Sequence, residues 1–334
     1  MATYKEIKGT QIEAVATDPS NPVEGQVWYN TTSNVLKGQA ATAAGAWSSG
    51  GNLNTGRSDF AGSGTAAAGL GYGGGPDDSP TNGIHVESYN GTSWTEVNDL
   101  SSIRNSNRGA GSNNTSAITI GGTGGFPSYT IKALTESYNG TNWTELNDQN
   151  TARNQGGSAG SATSALAFGG ATSTTPTANT EQWNGTNWTE VNNLNTARAQ
   201  IAGFGASSGS AIGCGEGINI NGITELWNGT NWTEVNDLVN SRRQFFGIGT
   251  ATNGLVYGGE TPSAVNVANT EEWNGTNWAE TTDLPTACRS ASGAGYSGAG
   301  GGMMFGGAVP SGASAATNEW TAAGAGLTRT FTDS

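Results

Sequence analysis

The chain has 334 residues, a formal net charge of −13 and 54 glycines, with only 13 Lys and Arg spread thinly along it. A glycine-rich chain without aromatics would read as disordered, but 11 Trp, 8 Tyr and 8 Phe recur at regular intervals here, which implies many short strands joined by tight turns. The scattered basic residues exclude a phosphate-binding surface, so no nucleic acid partner is expected. No run approaches the length of a spanning helix, so no membrane insertion is expected either.

Met1 to Lys8 contains no apolar stretch of the kind that directs secretion, so folding in a cytosol is expected. Residues 1–40 form the first predicted segment. Its centre, Gly25-Gln-Val-Trp-Tyr-Asn-Thr-Thr-Ser-Asn-Val-Leu-Lys37, is two β-prone runs around a polar turn, predicting a hairpin. Asp18-Pro19 and Asn21-Pro22 mark turns before it.

Beyond residue 40 the chain repeats. The phrase Glu87-Ser-Tyr-Asn-Gly-Thr-Ser-Trp94 returns at Glu136 to Trp143, Glu181 to Trp188, Glu225 to Trp232 and Glu271 to Trp278. Ten or eleven residues after each closing Trp stands an arginine: Arg104, Arg153, Arg198, Arg242 and Arg289. A glycine pair follows sixteen or seventeen residues later, as at Gly121-Gly122 and Gly258-Gly259, becoming Cys214-Gly215 in one copy. Trp47, Arg57 and Gly73-Gly74 make a further copy upstream. A period of about 45 residues is that of a four-stranded propeller blade.

Asn-Gly between aromatic positions is a strong hairpin signal because both residues accept positive φ. It joins strand c, around Tyr89, to strand d, around Trp94. The Gly/Ala-rich stretch after each arginine reads as strand a, beside the crowded axis, and strand b ends on the glycine pair. Six arginine-to-Gly-Gly units are present, and the last ends in a strand c at Asn318-Glu319-Trp320. The strand around Trp47 is then expected to complete the last blade; the tail through Phe331 is the alternative.

These residues resemble the kelch repeat: an arginine, an apolar strand ending in Gly-Gly, then an aromatic and a Trp a few residues apart. The resemblance covers roughly residues 42–321 and implies an all-β fold, a six-bladed kelch-like β-propeller with a short N-terminal β-hairpin segment. The expected division is 1–40 for the hairpin and 41–334 for the propeller. Strand a carries more glycine and alanine than kelch repeats do, and fold alone implies no function. The stretch from Gly25 to Lys37 is similar to a hairpin of fibre and other structural proteins of tailed bacteriophages. That similarity implies a virion protein in multiple copies, folded in the host cytoplasm and joined to other virion proteins through its N-terminal segment. Such a protein would display the propeller to a host-surface glycan or protein, in a tail or fibre first and as capsid decoration second. The alternative is a carbohydrate-binding or carbohydrate-active kelch propeller of bacterial origin.

No catalytic residue, cofactor or metal is expected. His85 is the one histidine and reads as structural or surface-exposed, and Cys214 and Cys288 lack metal or redox spacing. Glu96, Glu145, Glu190, Glu234 and Glu280 lie two residues after each Trp, with Asp99, Asp148, Asp237 and Asp283 beyond. Acids copied from blade to blade signal framework rather than the paired carboxylates of a cleft, and the repeated arginines are expected to pair with some of them or to satisfy loop carbonyls. Trp47, Trp94, Trp143, Trp188, Trp232 and Trp278, with Arg57 and the five later arginines, are structural repeat positions; the Trp are expected to pack between blades. The b–c loops differ in length and chemistry, and variable loops on a rigid frame are where recognition concentrates. Asp77, Asp78, Phe126, Pro127, Tyr129 and Asn219 are the candidate contacts.

Overall fold

The computed structural model describes residues 12–19, 26–39, 45–75, 82–125, 129–173, 175–215, 221–295, 301–322 and 328–331. They form two compact units, residues 46–321 in one and residues 1–45 with 322–334 in the other. Apart from one 3-10 turn, Asn82–Ile84, every regular element among the described residues is a strand.

Residues 46–321 form a six-bladed β-propeller. Each blade is an antiparallel sheet of four strands in the order a-b-c-d. In blade 1 these are Ala61–Thr65, Ala68–Tyr72, Val86–Tyr89 and Trp94–Val97. Blades 2 to 5 repeat the pattern within 108–145, 157–191, 202–235 and 246–280. Blade 6 takes Ser292–Gly295, Gly302–Phe305 and Thr317–Thr321 from the chain's later part and its outermost strand, Ala46–Ser49, from the earlier. Trp47 lies directly opposite Trp320, so the N-terminal strand closes the ring and no strand c is left as an open edge. Neighbouring blades meet through their a strands, the sixth against the first included.

Strand a needs glycine because the blades converge. A Cβ on Gly203 would lie 2.5 Å from the Gly157 Cα of the preceding blade. The glycine pair after strand b has a different cause: Gly121 and Gly122 turn the chain at φ of 58° and 96°, where side chains are strained. The core is a set of interblade layers in which the strand c and d tryptophans pack on aliphatic residues of their own blade and the preceding one.

The second unit is a sheet in which Glu13–Val15 runs parallel to Val27–Asn30, which forms the expected hairpin with Val35–Gln39. The tail strand Thr328–Phe331 pairs with Val35–Gln39, so it belongs with the hairpin and not with the propeller, whose expected span ran to residue 334. Asp18 binds this unit together, accepting from Lys37 Nζ at 2.7 Å, Trp28 Nε1 at 3.0 Å and Asn30 Nδ2 at 2.7 Å. Those donors, Lys37 foremost, hold its carboxyl at about 2.

Candidate functional site

Five of the six repeated arginines are buried, and each neutralises one glutamate on strand c. Arg57 reaches Glu87 at 2.7 Å, Arg104 Glu136 at 2.8 Å, Arg198 Glu225 at 2.8 Å and Arg242 Glu271 at 2.9 Å; Arg153 pairs with Glu181 in the same way. Each arginine also donates to carbonyls, as Arg57 does to His85 O at 2.7 Å. The second carboxylate oxygen accepts a backbone N–H from the d–a connection, such as Asn54 N to Glu87 at 2.7 Å. Burial lowers the affinity of the Arg57, Arg104, Arg153 and Arg242 guanidiniums for their protons, and the paired glutamates oppose that. The partners are therefore not Glu96, Glu145, Glu190, Glu234 or Glu280. Those lie directly opposite the buried glutamates, as Glu96 does Glu87, but on the outermost strand, where they stay exposed.

Arg289 does not occupy the sixth equivalent place. The carbonyls of Arg104, Arg153, Arg198 and Arg57 each accept from the second glycine of a pair, and in the last blade Cys288 O does so from Gly259 N at 2.7 Å. Arg289 stands one residue on, 41% exposed, 3.4 Å from Glu260. Its spacing of eleven from Trp278, against ten elsewhere, was the sign in the sequence.

The tryptophans of strand d bridge blades by hydrogen bond as well as by packing. Trp94, Trp188, Trp232, Trp278 and Trp47 donate from Nε1 to the hydroxyls of Thr317, Thr135, Thr180, Thr224 and Thr270 on the adjacent blade, at 2.9–3.2 Å. Trp143 meets Val86 instead, and its buried Nε1 has no partner. Both cysteines are buried and free, and desolvation pushes each thiol up to about 12, which leaves them inert.

One feature had no reading in the sequence. Two residues after each arginine position, Asp59, Ser106, Gln155, Gln200, Gln244 and Ser290 adopt φ of 51–58°. Each donates its backbone N–H to the carbonyl of its counterpart in the preceding blade, at 2.6–3.2 Å, and Asp59 N to Ser290 O closes a cycle of six. Left-handed backbone at six non-glycine residues costs about 1 kcal/mol or more each, held here by the ring contacts. The cycle encircles the axis where strand a begins. Toward the other end, the a strands surround an open axial cavity of about 430 Å³. Glycine backbone, Ser and Thr residues including Thr65, Ser112, Ser161 and Thr250, and the apolar Phe204, Phe246 and Ile248 line it, with no charged side chain among them.

The b–c connections lie on the face where the cycle is, and they differ in form. Blade 1 uses the 3-10 turn, blade 6 a small hairpin of Ala308–Val309 with Gly312–Ala313, and blade 5 a turn closed by Thr261 N to Val265 O. Of the candidate contacts, Tyr129 is 51% exposed; Asp77, Asp78, Phe126, Pro127 and Asn219 lie outside the described residues. The exposed large hydrophobics of the described propeller, Tyr129, Val239 and Val265, all belong to b–c or d–a connections of this face. The opposite face repeats one turn: Asn90, Asn139, Asn184, Asn228 and Asn274 each accept two backbone N–H groups of their own Asn-Gly-Thr turn.

His85 lies beside two of the repeated acids, its Nδ1 3.6 Å from Asp99 Oδ1 and 3.9 Å from Glu96 Oε1. Among the described residues, no other three potential metal ligands of the His, Cys, Asp and Glu types come as close together.

Together these features define the class: a closed six-bladed β-propeller with a separate small sheet built from both chain ends. Neither a scan of known protein families nor a search of curated proteins found a match to the chain.

Proposed function

We propose that the chain is a non-enzymatic, kelch-like structural protein of a tailed phage virion, displaying its propeller for host attachment in a tail or fibre. The observation that carries this reading is the contrast between a framework repeated in five blades and one face whose loops differ blade by blade. Buried pairs neutralise the repeated arginines, so the repeat supports a scaffold rather than a converging set of reactive groups. The hairpin sequence Gly25 to Lys37, similar to phage structural proteins, supports attachment through the smaller unit. Replacing residues 124–129 by Gly/Ser should leave particle assembly intact and reduce adsorption to host cells. Unchanged adsorption would count against recognition by that loop, and absence of the chain from purified particles by mass spectrometry would reject the virion assignment.

The axial cavity favours a second reading, a carbohydrate-binding propeller. Its uncharged lining of hydroxyls, main-chain groups and apolar side chains suits a neutral sugar residue rather than an ion. Chemical-shift changes confined to Thr65, Ser161 and Thr250 on titration with neutral oligosaccharides would support it; none at millimolar sugar would dismiss it.

A further inference from the structure

We propose that His85, Glu96 and Asp99 form a binding site for a divalent transition metal ion of the zinc type. The three candidate ligand atoms lie within 4.8 Å of one another. Two ligands on a tetrahedral zinc sit about 3.4 Å apart, from bond lengths of about 2.1 Å; the imidazole Nδ1 is 3.6 and 3.9 Å from the two carboxylate oxygens. The imidazole–carboxylate distances need shifts of only a few tenths of an ångström, and the two carboxylate oxygens, within 4.8 Å of each other, need a movement of up to about 1.4 Å that the exposed Glu96 side chain can supply. An imidazole nitrogen with two carboxylate oxygens is a donor set for zinc, with the fourth position left to water. Charge also balances, because a neutral imidazole and two carboxylates meet a dication.

Two further observations favour a ligand here. His85 Nδ1 and Asp99 Oδ1 are each shielded from solvent and have no hydrogen-bond partner. In blades 4 and 5 the matching oxygens of Asp237 and Asp283 accept a backbone N–H at 3.1 Å; Asp99 Oδ1 forgoes that bond. The backbone around the site is fixed independently of any metal. His85 O accepts from Gly73 N and Arg57 Nη1, and Leu100 N, next to Asp99, donates to Ile84 O. Such support is what holds ligands in place before an ion arrives. Blade 2 has the same acids, Glu145 and Asp148, but Leu134 where blade 1 has His85, and so serves as an internal control.

The chain's single histidine makes the test clean. Chelator-treated full-length protein is titrated with zinc chloride, followed by calorimetry and by the imidazole resonances of His85. One equivalent should bind and shift those resonances; His85→Ala should remove that binding, and Asp99→Asn should weaken it about tenfold or more. Unfolding midpoints without zinc should match the parent, showing that the variants fold. Imidazole resonances that stay unmoved at one equivalent, or equal zinc affinity in His85→Ala, would overturn the site.

Discussion

Blades 1 to 5 and blade 6 solve the same packing problem with different electrostatics. In each of the five, a buried arginine meets a buried glutamate, a second glutamate lies opposite on strand d, and a backbone N–H of the d–a connection completes the carboxylate. In blade 6 every one of these has changed. Cys288 stands for the arginine, Asn318 for the buried glutamate, Ser49 for its neighbour, and Pro285, which has no N–H, for the donor. A charge taken out of water costs several kcal/mol unless it is paired, so the group can be lost only as a set. The difference teaches that the repeated arginines are kept together with the glutamates they answer. It also means that the closing strand Ala46–Ser49 docks on a blade that lacks the buried arginine–glutamate pair.

The largest expected effect comes from removing that strand. A chain beginning at Gly50 exposes the edge of Thr317–Thr321, and light scattering should show aggregation, whereas truncation after Ala322 should leave the propeller's unfolding midpoint in place. Equal aggregation of the two would contradict closure by Trp47. Next, Arg104→Cys should cost about 3–5 kcal/mol in urea unfolding by stranding Glu136. Adding Glu136→Asn and Glu145→Ser, which copies three of the four blade 6 residues into blade 2, should recover more than half of the loss. Failure to recover would mean that the blade 6 set is not a unit. The smallest effect separates the tryptophan bridges: Val86→Thr gives Trp143 Nε1 the acceptor that other blades supply and should gain about 1 kcal/mol. No gain, with Thr135→Val also silent, would reduce those bridges to packing alone.

Much of this architecture is legible in the residues. The Asn-Gly turns place strands c and d, the glycine pairs end strand b, and counting units predicts six blades. The hidden part lies where two residues of one type compete. Glu87 and Glu96 face each other across a strand pair, and both share a face with a buried aromatic. Only the neighbouring strands decide that one is enclosed and the other is left at the outer edge. Arg289 is a milder case, since the pattern of types points to an arginine where backbone register selects Cys288, and only the one-residue difference in spacing marks it. The axial cycle leaves still less trace, because its members are Asp, Ser and Gln and share only a backbone conformation.

Local chemistry in the sequence alone thus determined the period, the positions of the turns and the strand order within a blade, although in the c–d turns only the glycine takes positive φ and the Asn does not. Those depend on φ preferences and side-chain alternation over a few residues. Tertiary structure decided which end of the chain closes the ring, which glutamate meets each arginine, and that the tail joins the N-terminal hairpin. It also brought His85, Glu96 and Asp99 together. The first two are choices between chemically similar candidates, settled by burial and backbone register in the assembled ring, and the others rest on strand pairing that no local pattern encodes.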